Sequence, residues 1–467
     1  MPLATTAQSP GNPFDRLGDT RFNSIDQSYL LTGKDKLETA AIGSPSRILS
    51  GHFLATAEFQ LRNPRDGQYT GWKLLSDDGR LIATACISHE GKPELISSEK
   101  TIRGLKKKCT VLQVEAQQGM LFFRAAISGE PLQLVADIPV SYQGMIKVVP
   151  FATAGTEVLI SNMRIDRPVL DGHDPDKNGY TGSRLEVLDI ATGHRRVVWE
   201  KNDRFEAPNF MPDGKSLLFN MDGLLYTIPV TGGSPTVFPT GIANRNNNDH
   251  GISFDGKLLA LSHHRDGMPD FGSTVYVMPL AGGEPKLITE QTPSYWHGWS
   301  PDNKQVLYVA KRDGSTLYHI YRKPIDGGKE ERLTDHTFGH VDGPEYSPDG
   351  KWIYYNGSQT GTMQLWRMKP DGSGKEQLTF DENNNWFPHI SPDGKWIAYL
   401  AFLPDINPDD HPAYKQVTLR LMPATGGAPK VLAYLYGGQG TINVPSWSPD
   451  SRTIALVSNS ELKTTTK

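Results

Sequence analysis

A four-residue phrase recurs six times after residue 200, and the side chains just before it are of types that move protons, bind metals or hold sugars. It runs Met211-Pro212-Asp213-Gly214, Ser253-Phe254-Asp255-Gly256, Ser300-Pro301-Asp302-Asn303, Ser347-Pro348-Asp349-Gly350, Ser391-Pro392-Asp393-Gly394 and Ser448-Pro449-Asp450-Ser451. Two residues before it stand Asn209, Gly251, Gly298, Glu345, His389 and Ser446. Three before are Pro208, His250, His297, Pro344, Pro388 and Pro445, and five before are Glu206, Asn248, Tyr295, Asp342, Trp386 and Asn443. Imidazole and carboxylate together suit a borderline divalent ion such as zinc or manganese, so His250, His297 and His389 form a candidate metal set. Without a metal, His297, His340, Asp342, Glu345 and Glu206 are candidates for general acid and base work. Around them Arg245, Asn248, Tyr295, Trp296, Trp386, His411, Tyr414, Gln439 and Asn443 offer a cation, amides and rings for an oligosaccharide. A lone imidazole or amide at such a position more often satisfies backbone groups than holds a ligand. The clustering is what points to a site.

The elements that must position these residues follow from the repeat. Its spacings are 42, 47, 47, 44 and 57 residues, the period of four-stranded propeller blades. Each phrase lies between two β-type runs, where Asp and Gly suit a tight turn joining strands A and B. Glycine-marked turns at Thr192-Gly193, Gly232-Gly233, Gly282-Gly283, Gly327-Gly328, Asp371-Gly372 and Gly426-Gly427 join strands C and D. The first C–D pair precedes the first A–B pair, and the last A–B pair has no C–D after it. This order predicts a six-bladed propeller over 183–460 whose two ends share the closing blade, leaving no open sheet edge. On that reading His173, His250, His263, His264, His297, His336, His340, His389 and His411, nine of the 13 histidines, fall on the face formed by the D–A and B–C loops. The 57-residue spacing comes from an insertion, Pro404 to Lys415, expected to roof the channel and present His411 and Tyr414.

Before the repeat the pattern changes. Alternating runs such as Phe53 to Phe59, Thr110 to Val114 and Val158 to Ile165 predict a β-sandwich over 21–167. A flexible N-terminus at 1–20, a linker at 168–182 and a tail at 461–467 complete the division, and the fold class is all-β. In the linker, Asp174-x-Asp176-x-Asn178-Gly179 is similar to the start of a calcium loop, but its twelfth position is Leu185, so an interdomain turn is the expectation.

The phrases Asp342 to Lys351, Trp386 to Gly394 and Val444 to Asp450 resemble the propeller repeats of TolB-like proteins. The narrower bacterial group labelled TolB-like or biopolymer transporter shares phrases similar to Asn247 to His250, Tyr295 to Trp299 and Gly437 to Asn443. The resemblance covers roughly 180–460 and implies a propeller; it implies no activity. The propeller also resembles, more distantly, that of oligogalacturonate lyases, which hold a divalent metal through three histidines and a glutamine. This chain lacks a Gln-x-x-His-x-His cluster, and Gln439 is the one plausible glutamine near a rim loop. The first 165 residues resemble concanavalin-like jelly-roll domains that accompany carbohydrate-active enzymes.

Composition narrows the classes. With 48 basic against 52 acidic residues the formal charge is −4, so no basic field attracts nucleic acid. No apolar run is long enough for a membrane span. No Gly-x-Ser-x-Gly elbow, phosphate-binding loop or dinucleotide fingerprint occurs, which sets aside a serine peptidase and a nucleotide cofactor. Cys86 and Cys109 could pair or stay thiols, and two cysteines are too few for a Cys-x-x-Cys zinc site. The expected function is a carbohydrate-active enzyme acting at the channel mouth, by lyase elimination with a divalent metal (zinc, manganese or calcium) or by carboxylate-based glycoside hydrolysis. The rival is a non-catalytic module that engages a glycan, or a protein partner on the propeller rim. A periplasmic or secreted location is expected although the chain shows no signal peptide, and the cytoplasm is the other choice.

Overall fold

Period-two alternation and turn residues generate strands throughout, and every regular element among the described residues is a strand. The structure is a computed structural model that describes residues 20–23, 28–32, 53–166 and 182–460, with short interruptions at 77–79, 98–99, 118–119, 140–145, 154, 192, 194 and 269–271. The calcium-loop-like Asp174, Asp176, Asn178 and Gly179, His173, and the tail at 461–467 lie outside the described residues, as does 1–19. The chain divides into two compact units with the boundary at Pro168, except that Asp189–Arg195 groups with the first.

The first unit is a two-sheet sandwich. Seven strands run in the order Thr20–Asn23, Ser28–Thr32, Glu157–Asp166, Phe53–Arg62, Val111–Gln117, Met120–Ala126, Gln133–Pro139. Five more run Ile146–Ala152, Tyr69–Ser76, Leu81–Ser88, Pro93–Ser97, Thr101–Arg103. Inward residues of both sheets, among them Phe59, Trp72, Leu74, Leu112, Val114 and Phe123, form one core. Phe59 and Trp72 meet edge to face with centroids 5.4 Å apart, a favoured aromatic arrangement. Cys86 and Cys109 are buried free thiols, and burial, with Glu94 adding, pushes Cys86 up to about 12.

The second unit holds six sheets among the described residues, five of them four-stranded and built from consecutive segments. The sixth joins Gly182–Asp189 and Arg195–Lys201 from the start of the unit to Thr453–Ser460 from its end. A single bridge from Trp447 to Ile454 adds the inner edge of that sheet. The first and last segments thus share one sheet, so hydrogen bonds replace the open edges a linear array would leave.

The recurring phrase forms a repeated turn. Ser253, Ser300, Ser347, Ser391 and Ser448 each donate a hydroxyl to the aspartate two residues on, at 2.6–2.7 Å. The same hydroxyl oxygens accept backbone N–H groups from the start of the next strand, as Leu258 N at 2.9 Å does. The fourth position takes a left-handed φ near +60 to +70° and is filled by glycine, Asn303 or Ser451, residue types in which a short polar side chain or none tolerates that region.

Candidate functional site

Each inner strand of the five complete blades carries a register shift where the candidate residues lie: Glu206/Asn209, Asn246/His250, Trp296/Gly298, Asp342/Glu345 and Trp386/His389. Ala207, Gly343 and Phe387 take left-handed φ values at these shifts. A bulge re-aims the side chains that follow it. Asp249, Tyr295, Asp342 and Phe387, four or five positions before the turn, therefore separate from the residues one and two before it, Trp296 excepted. The two groups face different ends of the propeller axis.

At the loop end is a cavity of about 350 Å³ lined by Asn247, Asn248, Asp249, Tyr295, His297, Tyr318, His340, Asp342, Phe387, Asp409, His411, Gln439 and Asn443. Its centre is Asp342, whose Oδ1 lies 2.7 Å from His297 Nε2 and whose Oδ2 lies 3.7 Å from His340 Nε2 and 3.6 Å from His411 Nε2. Burial opposes a charge on Asp342, yet the three imidazoles, His297 foremost, hold its carboxyl well below the usual range. The reciprocal effect acts on His297 and His411. Burial pushes His297 down, but Asp342, then Asp249 and Glu345, raise it above its ordinary value. His411 is likewise raised against burial, by its contact with Asp342 and the charges of Asp342, Asp410 and Asp249.

Asp249 is one of the residues that sequence reasoning missed, with Asn247 and Tyr318. It stands four before its turn, between the positions compared, and the only signal was a carboxylate within the amide run Asn246 to Asn248. Asn247 clamps it, donating from Nδ2 to Asp249 Oδ2 at 2.7 Å and accepting Asp249 N–H at 2.9 Å. Burial, reinforced by Asp342 and opposed by His297, raises Asp249 to about 6.

The insertion does reach the cavity. Ser358 donates its hydroxyl to Asp409 and accepts the His340 N–H at 2.7 Å, tying the insertion to the loop that carries His340. Asn384 Nδ2 donates to Ile406 O at 2.9 Å. His411 then packs on Trp386 and Phe387, with ring centroids 4.4 and 5.2 Å away. Asn443 donates to Gln439 Oε1 at 3.0 Å, fixing two amides of the wall. Glu206 lines a more open polar groove that shares Asn247, Asn248, Tyr295 and Gln439 with the cavity, and Arg204 Nη2 sits 2.8 Å from its carboxylate.

Several candidates lie elsewhere. His250, His297 and His389 do not meet on one point. His250 is fully buried with neither ring nitrogen paired, and burial lowers it to about 3. His389 is held by Glu345 Oε2 at 2.8 Å and the Ile442 carbonyl at 2.5 Å. No group of three or more His, Cys, Asp or Glu among the described residues is arranged to hold a metal ion. Glu345, two before its turn, lines the cavity at the other end of the axis. Trp296 is buried in the core, its ring lying where a Cβ on Gly251 would come within 2.1 Å. Trp386 is fully buried beneath His340 and His411, because the bulge at Phe387 presents Phe387 instead. Tyr414 is buried against Tyr436. Arg245 is exposed, pairs with Asp266 and does not line the cavity.

Successive sheets around an axis, with the first and last segments sharing one sheet, define a β-propeller. A model described as TolB beta propeller domain matches residues 273–403. The chain is 47% identical over 281 residues to an uncharacterized protein of Agrobacterium fabrum, covering 60% of this chain and 93% of that one. A solved TolB-type structure from Agrobacterium tumefaciens is 46% identical with a TM-score of 0.57, covering 61% of this chain and all of that one. The Tol-Pal system protein TolB of Anaeromyxobacter dehalogenans is 31% identical over 100 residues, 21% of this chain and 22% of its own length. The chain belongs to the TolB-like β-propeller family. Among the described residues no helix is long and apolar enough to cross a membrane.

Proposed function

We propose that the chain is a carbohydrate-active enzyme that cleaves uronate-containing oligosaccharides by β-elimination in the loop-end cavity. One observation carries this reading: a buried carboxylate raised to about 6, Asp249, lines the same cavity as His297 and His411, two imidazoles raised above their ordinary value. Raised carboxylates are stronger bases, and raised imidazoles are cations over more of the neutral range. Asp249 takes the proton from the carbon beside the uronate carboxylate. That electron pair forms the carbon–carbon double bond, the bond to the leaving glycosidic oxygen breaks, and the oxygen takes a proton from His411. His297, braced by Asp342, holds the substrate carboxylate and stabilises the charge that grows on it.

This places the base on a carboxylate instead of a histidine, and it assigns no step to Arg245. Hydrolysis by two carboxylates is less well supported. Asp342 is engaged by three imidazoles, Glu206 is paired with Arg204, and Glu345 lines the other cavity. No step is routed through zinc, manganese or calcium, since His250, His297 and His389 have no common partner. On this reading the concanavalin-like sandwich holds the polymer, and the location is periplasmic or secreted.

A second reading, a non-catalytic module for a glycan or a protein partner, is favoured by the internal saturation of Asp342. Incubation with uronate-containing and neutral oligosaccharides decides between them. Ultraviolet absorbance of an unsaturated product supports elimination; new reducing ends without that absorbance support hydrolysis. Calorimetric binding without either supports the module.

A further inference from the structure

The other end of the propeller axis holds a cavity of about 470 Å³ among the A–B turns. The residue immediately before each turn faces it: Phe210, Ile252, Trp299, Tyr346, Ile390 and Trp447 form an apolar ring supplied once by each blade. Two of these are fixed by bonds to a neighbouring inner strand, Trp299 Nε1 to Gly251 O at 3.0 Å and Trp447 Nε1 to His389 O at 2.9 Å.

Polar residues interrupt the apolar lining, among them Glu345, Asp255, Ser253 and Asn209. Glu345 contributes a carboxyl group, while Asn209 Oδ1 and Trp296 Nε1 are buried polar atoms with no protein partner. Asn209 is held by its other end, since Nδ2 donates to Pro445 O at 2.7 Å. Behind Glu345, both nitrogens of His389 face acceptors: Nδ1 faces Glu345 Oε2, and Nε2 faces a carbonyl. Glu345 Oε1 accepts Ile390 N–H at 3.1 Å. Glu345 is thus held in place from behind, and its side chain lines the cavity. Among the described residues, the charged side chains lining it are Glu345 and Asp255, both acidic, with Lys257 Nζ 3.6 Å from Asp255 Oδ2.

We infer that this cavity is a second binding site, for a small organic ammonium carrying an aromatic or alkyl body. The apolar ring removes the body from water, the Trp and Tyr faces attract the cation, and the Glu345 carboxyl group accepts its N–H donors. An anionic analogue of the same shape meets the Glu345 carboxylate and no lining cation, so it is disfavoured by charge.

The test uses the full chain and tryptamine as probe, with indole-3-propionate as the anionic analogue, read by calorimetry. Tryptamine is expected to bind saturably and indole-3-propionate at least about tenfold more weakly, the scale of one charge-assisted hydrogen bond. Glu345→Gln is expected to weaken tryptamine by about tenfold. Phe254 is 47% exposed and lines the rim, so Phe254→Lys adds a repelling cation without disturbing the core and is expected to weaken it severalfold. Should Glu345→Gln fail to fold, Phe254→Lys decides alone. Equal binding of the two indoles, no saturable tryptamine binding, or tryptamine affinity unchanged in the folded variants overturns the proposal.

Discussion

His297 Nε2 lies 2.7 Å from Asp342 Oδ1, and the two side chains come from adjacent inner strands, Ser294–Trp299 and Val341–Tyr346. Both are nearly buried, so the bond joins two blades at the cavity wall in surroundings where an unpaired charge is costly. Removing one partner strands the other. Asp342→Asn is expected to destabilise the propeller by about 3–5 kcal/mol and His297→Ala to do likewise, with the double variant well short of the sum. Denaturant unfolding of the four proteins in this cycle checks it, and simple additivity would show that the pair is not coupled.

Asp249→Asn keeps the shape and the clamp geometry but removes the base. Turnover of a uronate oligosaccharide should fall by about 10²–10⁴ while substrate binding by calorimetry changes little. Retained turnover would return the base to a histidine.

The pH profile follows from the same groups. Asp249 must be ionised, so kcat/KM should rise through about pH 6. His297 and His411 must be charged, and both are raised, so the alkaline limb should lie above their ordinary value of about 6.5. Asp249→Asn should abolish the acid limb in whatever activity remains.

Stability should carry the mark of Asp249 as well. Its folded pKa, about 6, exceeds the unfolded value of about 3.9, so its contribution is fully present below about pH 4 and is lost as pH rises through 6. Relative to the native chain, Asp249→Asn should therefore gain thermal stability between pH 4 and 6. Midpoints measured across that range for both proteins would show the difference; parallel curves would mean Asp249 titrates normally.

Gly251→Ala tests the crowding at the axis. A Cβ there would come within 2.1 Å of the Trp296 ring, and the Trp296 ring is locked in the core. A loss of about 1–3 kcal/mol is expected, typical of overpacking. Fluorescence-monitored unfolding measures it, with an unchanged midpoint showing that the ring can yield.

The sequence by itself determined the fold class and the blade order, because period and turn chemistry are local. The Ser-x-Asp turn closes on its own side chains, and the order of the C–D and A–B pairs implies the shared sheet that Thr453–Ser460 forms with Gly182–Asp189. It also placed His297, His340, Asp342, His411, Asn248, Tyr295, Gln439 and Asn443 around one mouth. Tertiary structure alone decided how these residues divide. Bulges at 342/345 and 386/389 turn Glu345 and His389 away from Asp342, and strand alternation gives no warning of a bulge. The burial of Trp296, Trp386 and Tyr414 depends on the neighbouring blade and on the insertion packed over them. Asp249 became a candidate through its surroundings, since the carboxyl group is ordinary in sequence and is raised only where burial and Asp342 meet it.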